Sequence, residues 1–141
     1  MKKALFLFVV GVLSFVSASA QSAPPFYVSP RGGVCDTVYN KVDVSASYPG
    51  GVEEMYYFFH KNLDPKYANE LHPNITSKRI MVKLLVSNEG KILDQKVLVK
   101  VSPEVDSAVL NVIKKFPAMV PGQVKGRKIC SYYIVALNFL N

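Results

Sequence analysis

The sequence predicts an α+β fold, a small antiparallel sheet with two helices packed on one face, in the order β-α-β-β-α-β. Strand-like alternation, two apolar stripes at helical spacing, and Pro/Gly breaks between these segments support this prediction. The chain has 141 residues, enough for one ordinary domain. Because 50% of the residues are hydrophobic and 19% are charged, the composition excludes a disordered tail, a collagen-like repeat and a coiled coil.

The N-terminus has the pattern of a cleavable signal peptide. Lys2 and Lys3 precede an apolar run over residues 4–16 and the small residues Ala18-Ser19-Ala20, the order that signal peptidase recognises. We therefore expect residues 1–20 to be removed and the protein to be exported, with no stable membrane anchor after cleavage. An uncleaved anchor is the alternative, although the run is shorter than the roughly 20 residues that span a bilayer.

A leader and a first strand follow the predicted cleavage site. Residues 21–33 are rich in Pro and Gly and predict a flexible leader ahead of a domain formed by residues 34–141. Residues 34–45 alternate, with Val38 and Val42 on one side, and predict the first strand. The chain is then broken sharply at Tyr48-Pro49-Gly50-Gly51.

The first helix is predicted over residues 52–63. Its apolar stripe at helical spacing consists of Val52, Met55, Tyr56, Phe59 and Leu63. Acidic residues occupy its first turn and a lysine its last, as the helix dipole favours. Residues 64–77 form the predicted connection, with one helical turn around residues 65–71.

A hairpin is predicted next, because residues 78–87 alternate strictly. Ile80, Val82, Leu84 and Val86 share one face of this strand. Asn88-Glu89-Gly90 forms the loop, in which the glycine can adopt a positive φ, and residues 91–101 return as the paired strand.

The second helix and the last strand complete the domain. Ser102 is the predicted N-cap and Pro103 the first helical residue. The apolar stripe of this helix consists of Val105, Ala108, Val109, Val112, Ile113 and Phe116. Residues 121–126 predict a long turn, and residues 127–140 predict a strand whose apolar face comprises Ile129, Tyr133, Val135, Leu137 and Phe139.

Two cysteines remain after cleavage, Cys35 and Cys130. An even number in an exported chain permits one disulfide, and two separate buried thiols are the alternative. Neither cysteine lies near His60 or His72 in sequence and no Cys-x-x-Cys occurs, so we expect neither a metal site nor a cofactor.

Without Lys2 and Lys3 of the predicted signal peptide, 15 Lys+Arg stand against 10 Asp+Glu, a net charge of about +5 that indicates a mildly basic surface. The lysines are spread along the chain and form no cluster, which favours a solvated surface and argues against nucleic acid as a partner. Contact with an anionic polymer of the cell envelope stays open as an alternative.

Enzymatic activity is not expected. Glu53 and Glu54 are adjacent on a helix and point apart, so they cannot act as a pair of acid and base. His60 has no identifiable Ser or Cys partner. The aromatic residues 56–59 could stack on a ligand, but such a cluster more often belongs to a core.

Five stretches together resemble a known family. They are the break Tyr48-Pro49-Gly50-Gly51-Val52-Glu53-Glu54, the hairpin over residues 80–92, the helix start Ser102-Pro103-Glu104-Val105-Asp106, residues 117–122 and the closing Val135-Ala136-Leu137-Asn138-Phe139. In this order they resemble the C-terminal domain of TonB-family energy transducers, in a stand-alone form with an extra leading strand. Family members usually carry a membrane anchor and a long proline-rich spacer, which residues 21–33 are too short to replace.

The resemblance implies a periplasmic protein-interaction module. The family's domain captures an extended peptide of an outer-membrane receptor beside its last strand, because unpaired backbone groups at a sheet edge can bind another strand. The partner expected here is such a receptor or another component of a transport complex, and a second copy bound through sheet edges is a further candidate. Carried over to this chain, the binding edge comprises Cys130, Ser131, Tyr132, Tyr133, Ile134, Val135, Ala136 and Leu137.

The extra leading strand suggests two states for this edge. If it pairs with the last strand, it covers the peptide-binding edge and brings Cys35 close enough to Cys130 for a disulfide. An edge open to a partner and an edge covered by the chain itself are the two hypotheses left by the sequence. A small envelope protein that binds cell-wall polymer through its basic surface is the alternative function.

Overall fold

The structure is a computed structural model that describes residues 27–28, 34–35, 37–74 and 78–140. The predicted signal peptide, residues 1–20, and most of the predicted leader lie outside these residues. The described elements are β1 Tyr27–Val28, β2 Val34–Cys35, β3 Val38–Tyr39, α1 Gly51–Asn62, α2 Pro65–Ala68, β4 Lys78–Val86, β5 Ile92–Val99, α3 Pro103–Ile113, β6 Gly122–Val124 and β7 Arg127–Phe139.

The main sheet has the strand order β3-β7-β4-β5, and β6 pairs with the start of β7. The strand β4 is antiparallel to both of its neighbours, β5 and β7. The strand β3 runs parallel to β7, and β1 pairs with β2 in a separate two-stranded sheet. The α+β prediction is confirmed, but the sheet is mixed where the sequence predicted an antiparallel one.

The β4–β5 hairpin is confirmed, with strands that end within two residues of their predicted bounds. Gly90 has a φ of 83°, in the left-handed region that the predicted loop requires. A Cβ at this position would collide with the carbonyl oxygen of Met119, whose N–H donates to the Gly90 carbonyl at 2.8 Å. A glycine is therefore needed both for the turn and for this close approach of two backbone segments.

The predicted helices form where their sequence signals place them. The Ser102 side chain caps α3 by accepting a hydrogen bond from the Val105 N–H at 3.3 Å, and Pro103 opens the helix. The single turn predicted near Pro65 is α2, which Asp64 caps through the Lys66 N–H at 2.9 Å.

The predicted single strand over residues 34–45 is wrong. Its two strand segments, β2 and β3, have two residues each, and the chain then leaves β7. The N–H groups of Asp43 and Val44 donate to the Gln123 carbonyl, and the Asp43 carboxylate accepts from the Lys125 N–H at 2.7 Å. These bonds attach residues 43–44 to β6, a strand that lies within the predicted turn at residues 121–126. Alternation could not predict this change of partner because it arises between segments about 80 residues apart.

The sheet separates two apolar clusters. The larger one lies under α1 and α3, where Phe59 and Val109 pack against the buried residues Ile80, Leu84 and Leu137 of β4 and β7. The smaller one lies on the opposite face, hereafter the open face, and consists of Cys35, Val38, Leu85, Leu93 and Cys130. Helices therefore cover one face of the sheet, as predicted, and the N-terminal segment covers part of the other.

Candidate functional site

The candidate site is the outer edge of β7, which we define as the edge that faces away from β4. On the inner side β4 pairs with β7 from Ser131 to Phe139. On the outer edge β3 pairs only with Cys130 and Ser131, and Leu71 forms a single bridge to Phe139. Within the described part of the chain, residues 132–137 have no strand partner on this edge. At about 3.3 Å a residue, this unpaired stretch is roughly 20 Å long.

Alternate residues of β7 direct their backbone groups to the outer edge. The Asn138 carbonyl accepts from the His72 N–H at 3.0 Å, and the Ala136 carbonyl accepts from the Tyr56 hydroxyl at 3.3 Å. Both acceptors have even numbers, so Tyr132 and Ile134 also present their backbone groups on this side. The odd-numbered residues between them bond with β4 instead. An added strand would therefore bond to the even-numbered residues.

The Tyr56 hydroxyl marks the far end of the unpaired stretch. It donates to the Ala136 carbonyl at 3.3 Å. Burial raises the pKa of Tyr56, and the Asn138 backbone and the nearby charge of Arg79 lower it by less. The hydroxyl is therefore protonated at neutral pH and acts as a donor. It occupies the position that the N–H of an added strand would take.

The side chains of the unpaired stretch point to two different environments. Val135 is fully buried on the helix side, and the Tyr133 hydroxyl lies 3.8 Å from the Met55 sulfur there. Tyr132 and Ile134 lie on the open face with 36% and 38% of their surface exposed. The Lys83 ammonium lies 4.4 Å from the centre of the Tyr132 ring, a cation–π contact.

A disulfide closes the near end of the edge. Cys35 and Cys130 are bonded, with their Cα atoms 6.0 Å apart, and both side chains are buried. In the β3–β7 ladder Cys130 pairs with Val38. Its disulfide partner Cys35 lies in β2, which pairs with β1 and not with β7. The bond is typical of proteins that mature in an oxidising compartment.

The structure divides the eight predicted edge residues into two groups. Cys130 and Ser131 are covered by β3, and the Ser131 side chain is 1% exposed. Residues 132–137 have no strand partner on this edge in the described chain, although the Ala136 carbonyl accepts from the Tyr56 hydroxyl. The described chain therefore covers the predicted edge only in part, an arrangement between the two hypotheses drawn from the sequence.

A hollow beside this edge was not predicted as a site. Its volume is about 220 Å³, and it is lined by Tyr56, Tyr57, His60, Leu71 and Pro73. The sequence favoured a core role for the aromatic residues 56–59, with a ligand-stacking face as the alternative, and in the structure these residues have different environments. Phe59 is fully buried, whereas 65% of Tyr57 is exposed. The signal that could have revealed the hollow is the spacing of residues 56, 57 and 60, which places them on one helix face distinct from that of the buried Met55 and Phe59.

No protein-family model, curated protein or solved structure matches this chain. Across the described residues, no three His, Cys, Asp or Glu side chains group in a way that could hold a metal ion. The described helices also include none with the length and apolar character needed to cross a membrane.

Proposed function

We propose that this protein is an exported, periplasmic interaction module that binds an extended peptide of a partner protein at residues 132–137 of β7. The observation that carries the proposal is the stretch of the outer edge without a strand partner, which has β3 at one end and the Leu71 bridge at the other. Tyr132 and Ile134 present their backbone groups there, and the Tyr56 hydroxyl bonds to the Ala136 carbonyl that follows them. Unpaired N–H and C=O groups in a row bind an incoming strand through main-chain hydrogen bonds.

The TonB-like motifs supply the class of partner. Their resemblance to the C-terminal domain of TonB-family transducers points to a segment of an outer-membrane receptor or of another transport-complex component. The disulfide supports action outside the cytosol. Peptide capture by the last strand in that family agrees with the unpaired part of β7 in this chain.

A pair of variants at Ile134 tests the proposal. Ile134→Pro removes an N–H that faces the outer edge while leaving the bonds between β7 and β4 in place, an arrangement that edge strands tolerate. Ile134→Thr changes the same exposed side chain but keeps the N–H. Wild type and both variants, without residues 1–20, are used to capture proteins from envelope extracts, and bound proteins are identified by mass spectrometry.

We expect receptor or transport components on wild type and Ile134→Thr, and their loss by at least about tenfold on Ile134→Pro. Their direct binding is then measured with synthetic peptides from the captured proteins. Equal capture by all three forms contradicts binding by strand addition. Thermal unfolding of the two variants serves as the control for folding.

The alternative function, binding of cell-wall polymer, rests on the basic surface. Among the described residues one ion pair forms, between Lys91 and Glu89, so many cationic groups are available to an anionic polymer. Such binding would fade as ionic strength rises and would be the same in Ile134→Pro and wild type. Recovery of glycan with this behaviour, and of no protein partner, favours the alternative.

A further inference from the structure

The hollow lined by Tyr56, Tyr57, His60, Leu71 and Pro73 lies beside the far end of the unpaired stretch, to which Tyr56 connects it. The Tyr56 hydroxyl is bonded to the Ala136 carbonyl on that edge, and Leu71 bridges Phe139 two residues beyond the stretch. A strand added beside Tyr132 and Ile134 would therefore run toward this face of α1 and meet it at Tyr56.

The alternation of a strand decides which of its side chains meet the hollow. Successive side chains point to opposite faces of the sheet, so every second residue of an added strand faces α1. The hollow is an open depression of about 220 Å³, which exceeds the roughly 150 Å³ of an enclosed cavity that holds a benzene ring. Its lining is aromatic and aliphatic except for His60, so the side chain that fits is a bulky apolar one.

The remaining side chains of an added strand would lie beside the exposed Tyr132 and Ile134 on the open face, with cations of β4 one strand further away. Lys83 pairs with Ile134 in the sheet and lies over the Tyr132 ring, and Arg79 donates to the Asn138 side chain at 2.8 Å. Neither cation has a carboxylate within 4.0 Å in the described part of the chain. Lys128, two residues before Cys130, is also exposed on this face. The complementary side chains at these alternate positions are acidic.

We propose that the outer edge selects an extended peptide in which apolar and acidic residues alternate, with one bulky apolar side chain inserted into the hollow beside α1. This inference rests on the proposed function and adds to it the chemistry of the partner. The backbone of β7 supplies the attachment, the hollow selects one apolar side chain, and the cations of the open face select acidic neighbours. A one-residue shift of the peptide would place acidic groups in the apolar hollow, so the pattern also defines the register.

A synthetic peptide with the central sequence Glu-Phe-Glu-Leu-Glu tests the inference, with binding measured by calorimetry. Three changed peptides accompany it: Phe and Leu replaced by Ser, the three Glu replaced by Lys, and the parent sequence with N-methyl groups on its alternate backbone nitrogens. We expect the serine peptide to bind at least about tenfold more weakly, because burial of one large apolar side chain is lost. The lysine peptide is also expected to bind more weakly, by a factor that shrinks as salt is raised.

Tyr57→Ala is the matched protein variant, because 65% of Tyr57 is exposed and its loss widens the hollow without opening the core. It should reduce binding of the parent peptide several-fold and leave the serine peptide unaffected. Val52→Ala is the control, an exposed residue of the same helix outside the hollow, and should change neither.

The outcomes separate this inference from the proposed function. One outcome is that N-methylation abolishes binding, while the serine peptide binds wild type as tightly as the parent peptide does and Tyr57→Ala binds the parent peptide as tightly as wild type does. In that case strand addition stands and the apolar subsite is wrong. If the lysine peptide binds as well as the parent peptide, the acidic preference is wrong. If the parent peptide and the receptor peptides from envelope capture all fail to bind wild type, the proposed function fails as well.

Discussion

The two faces of the sheet are stabilised in different ways. On the helix side, α1 and α3 bury a continuous apolar cluster that includes Phe59, Leu84 and Val135. On the open face, the five-residue cluster around the Cys35–Cys130 disulfide is small, and Ile134 and Val99 beyond it are substantially exposed. Burial of apolar area stabilises the first side, whereas a covalent bond constrains the second, where little area is buried.

The contrast bears on function because a docked strand would contact both faces. The helix side offers a rigid wall for an inserted side chain, and the open face leaves cations accessible. A fully covered sheet could not provide both surfaces. The unpaired edge of β7 lies where these two surfaces meet.

The largest effect is expected from a cavity on the helix side. Phe59→Ala removes a fully buried ring and should lower the free energy of unfolding by about 3–5 kcal/mol, measured by urea denaturation. Tyr57→Ala, on the same helix but mostly exposed, should change it by no more than about 0.5 kcal/mol. Similar losses for the two variants would show that the helix does not divide into a buried and an exposed face as described.

Removal of the disulfide tests the other face. The two cysteines are 95 residues apart in sequence, and Cys35→Ser with Cys130→Ser should lower the free energy of unfolding by about 2–5 kcal/mol, the range for native disulfides of small secreted domains. Hydrogen exchange should accelerate in β3 and at Cys130 and Ser131, and much less in the helices. Reduced wild type is the control and should match the double variant. Equal acceleration of hydrogen exchange on the helix side and on the open face would contradict the conclusion that the two faces are stabilised in different ways.

A smaller effect concerns pH. Burial raises the pKa of Tyr133 above its ordinary value of 10.0, so the folded state favours the neutral phenol. Its contribution to stability is complete below pH 10 and is lost as pH rises through the folded-state pKa, because the unfolded chain ionises first. Tyr133→Phe should therefore lose less stability than wild type between about pH 9 and about pH 11.

Tyr132→Phe is the control for this experiment, because the neighbouring ring lies on the open face. Urea denaturation at a series of pH values provides the measurement. Equal alkaline slopes for Tyr133→Phe and wild type would show that burial on the helix side does not hold the Tyr133 proton.

Much of the fold follows from local sequence signals. Alternation in residues 78–87 predicts β4 and its buried face, and Ser102 with Pro103 predicts the start of α3. The loop at Gly90 and the turn at Pro65 have equally local causes. In each case the deciding interactions join residues a few positions apart, so periodicity and capping chemistry are sufficient to detect them.

The sequence by itself therefore determined the helices, the hairpin, the long last strand and the two cysteines available for pairing. Only the tertiary structure decided that β3 pairs with two residues of β7 and no more, that residues 43–44 turn to β6, and that Tyr56 reaches the Ala136 carbonyl. These features depend on contacts between residues about 80 or more positions apart. Their positions are set by how whole elements pack, which no local pattern encodes.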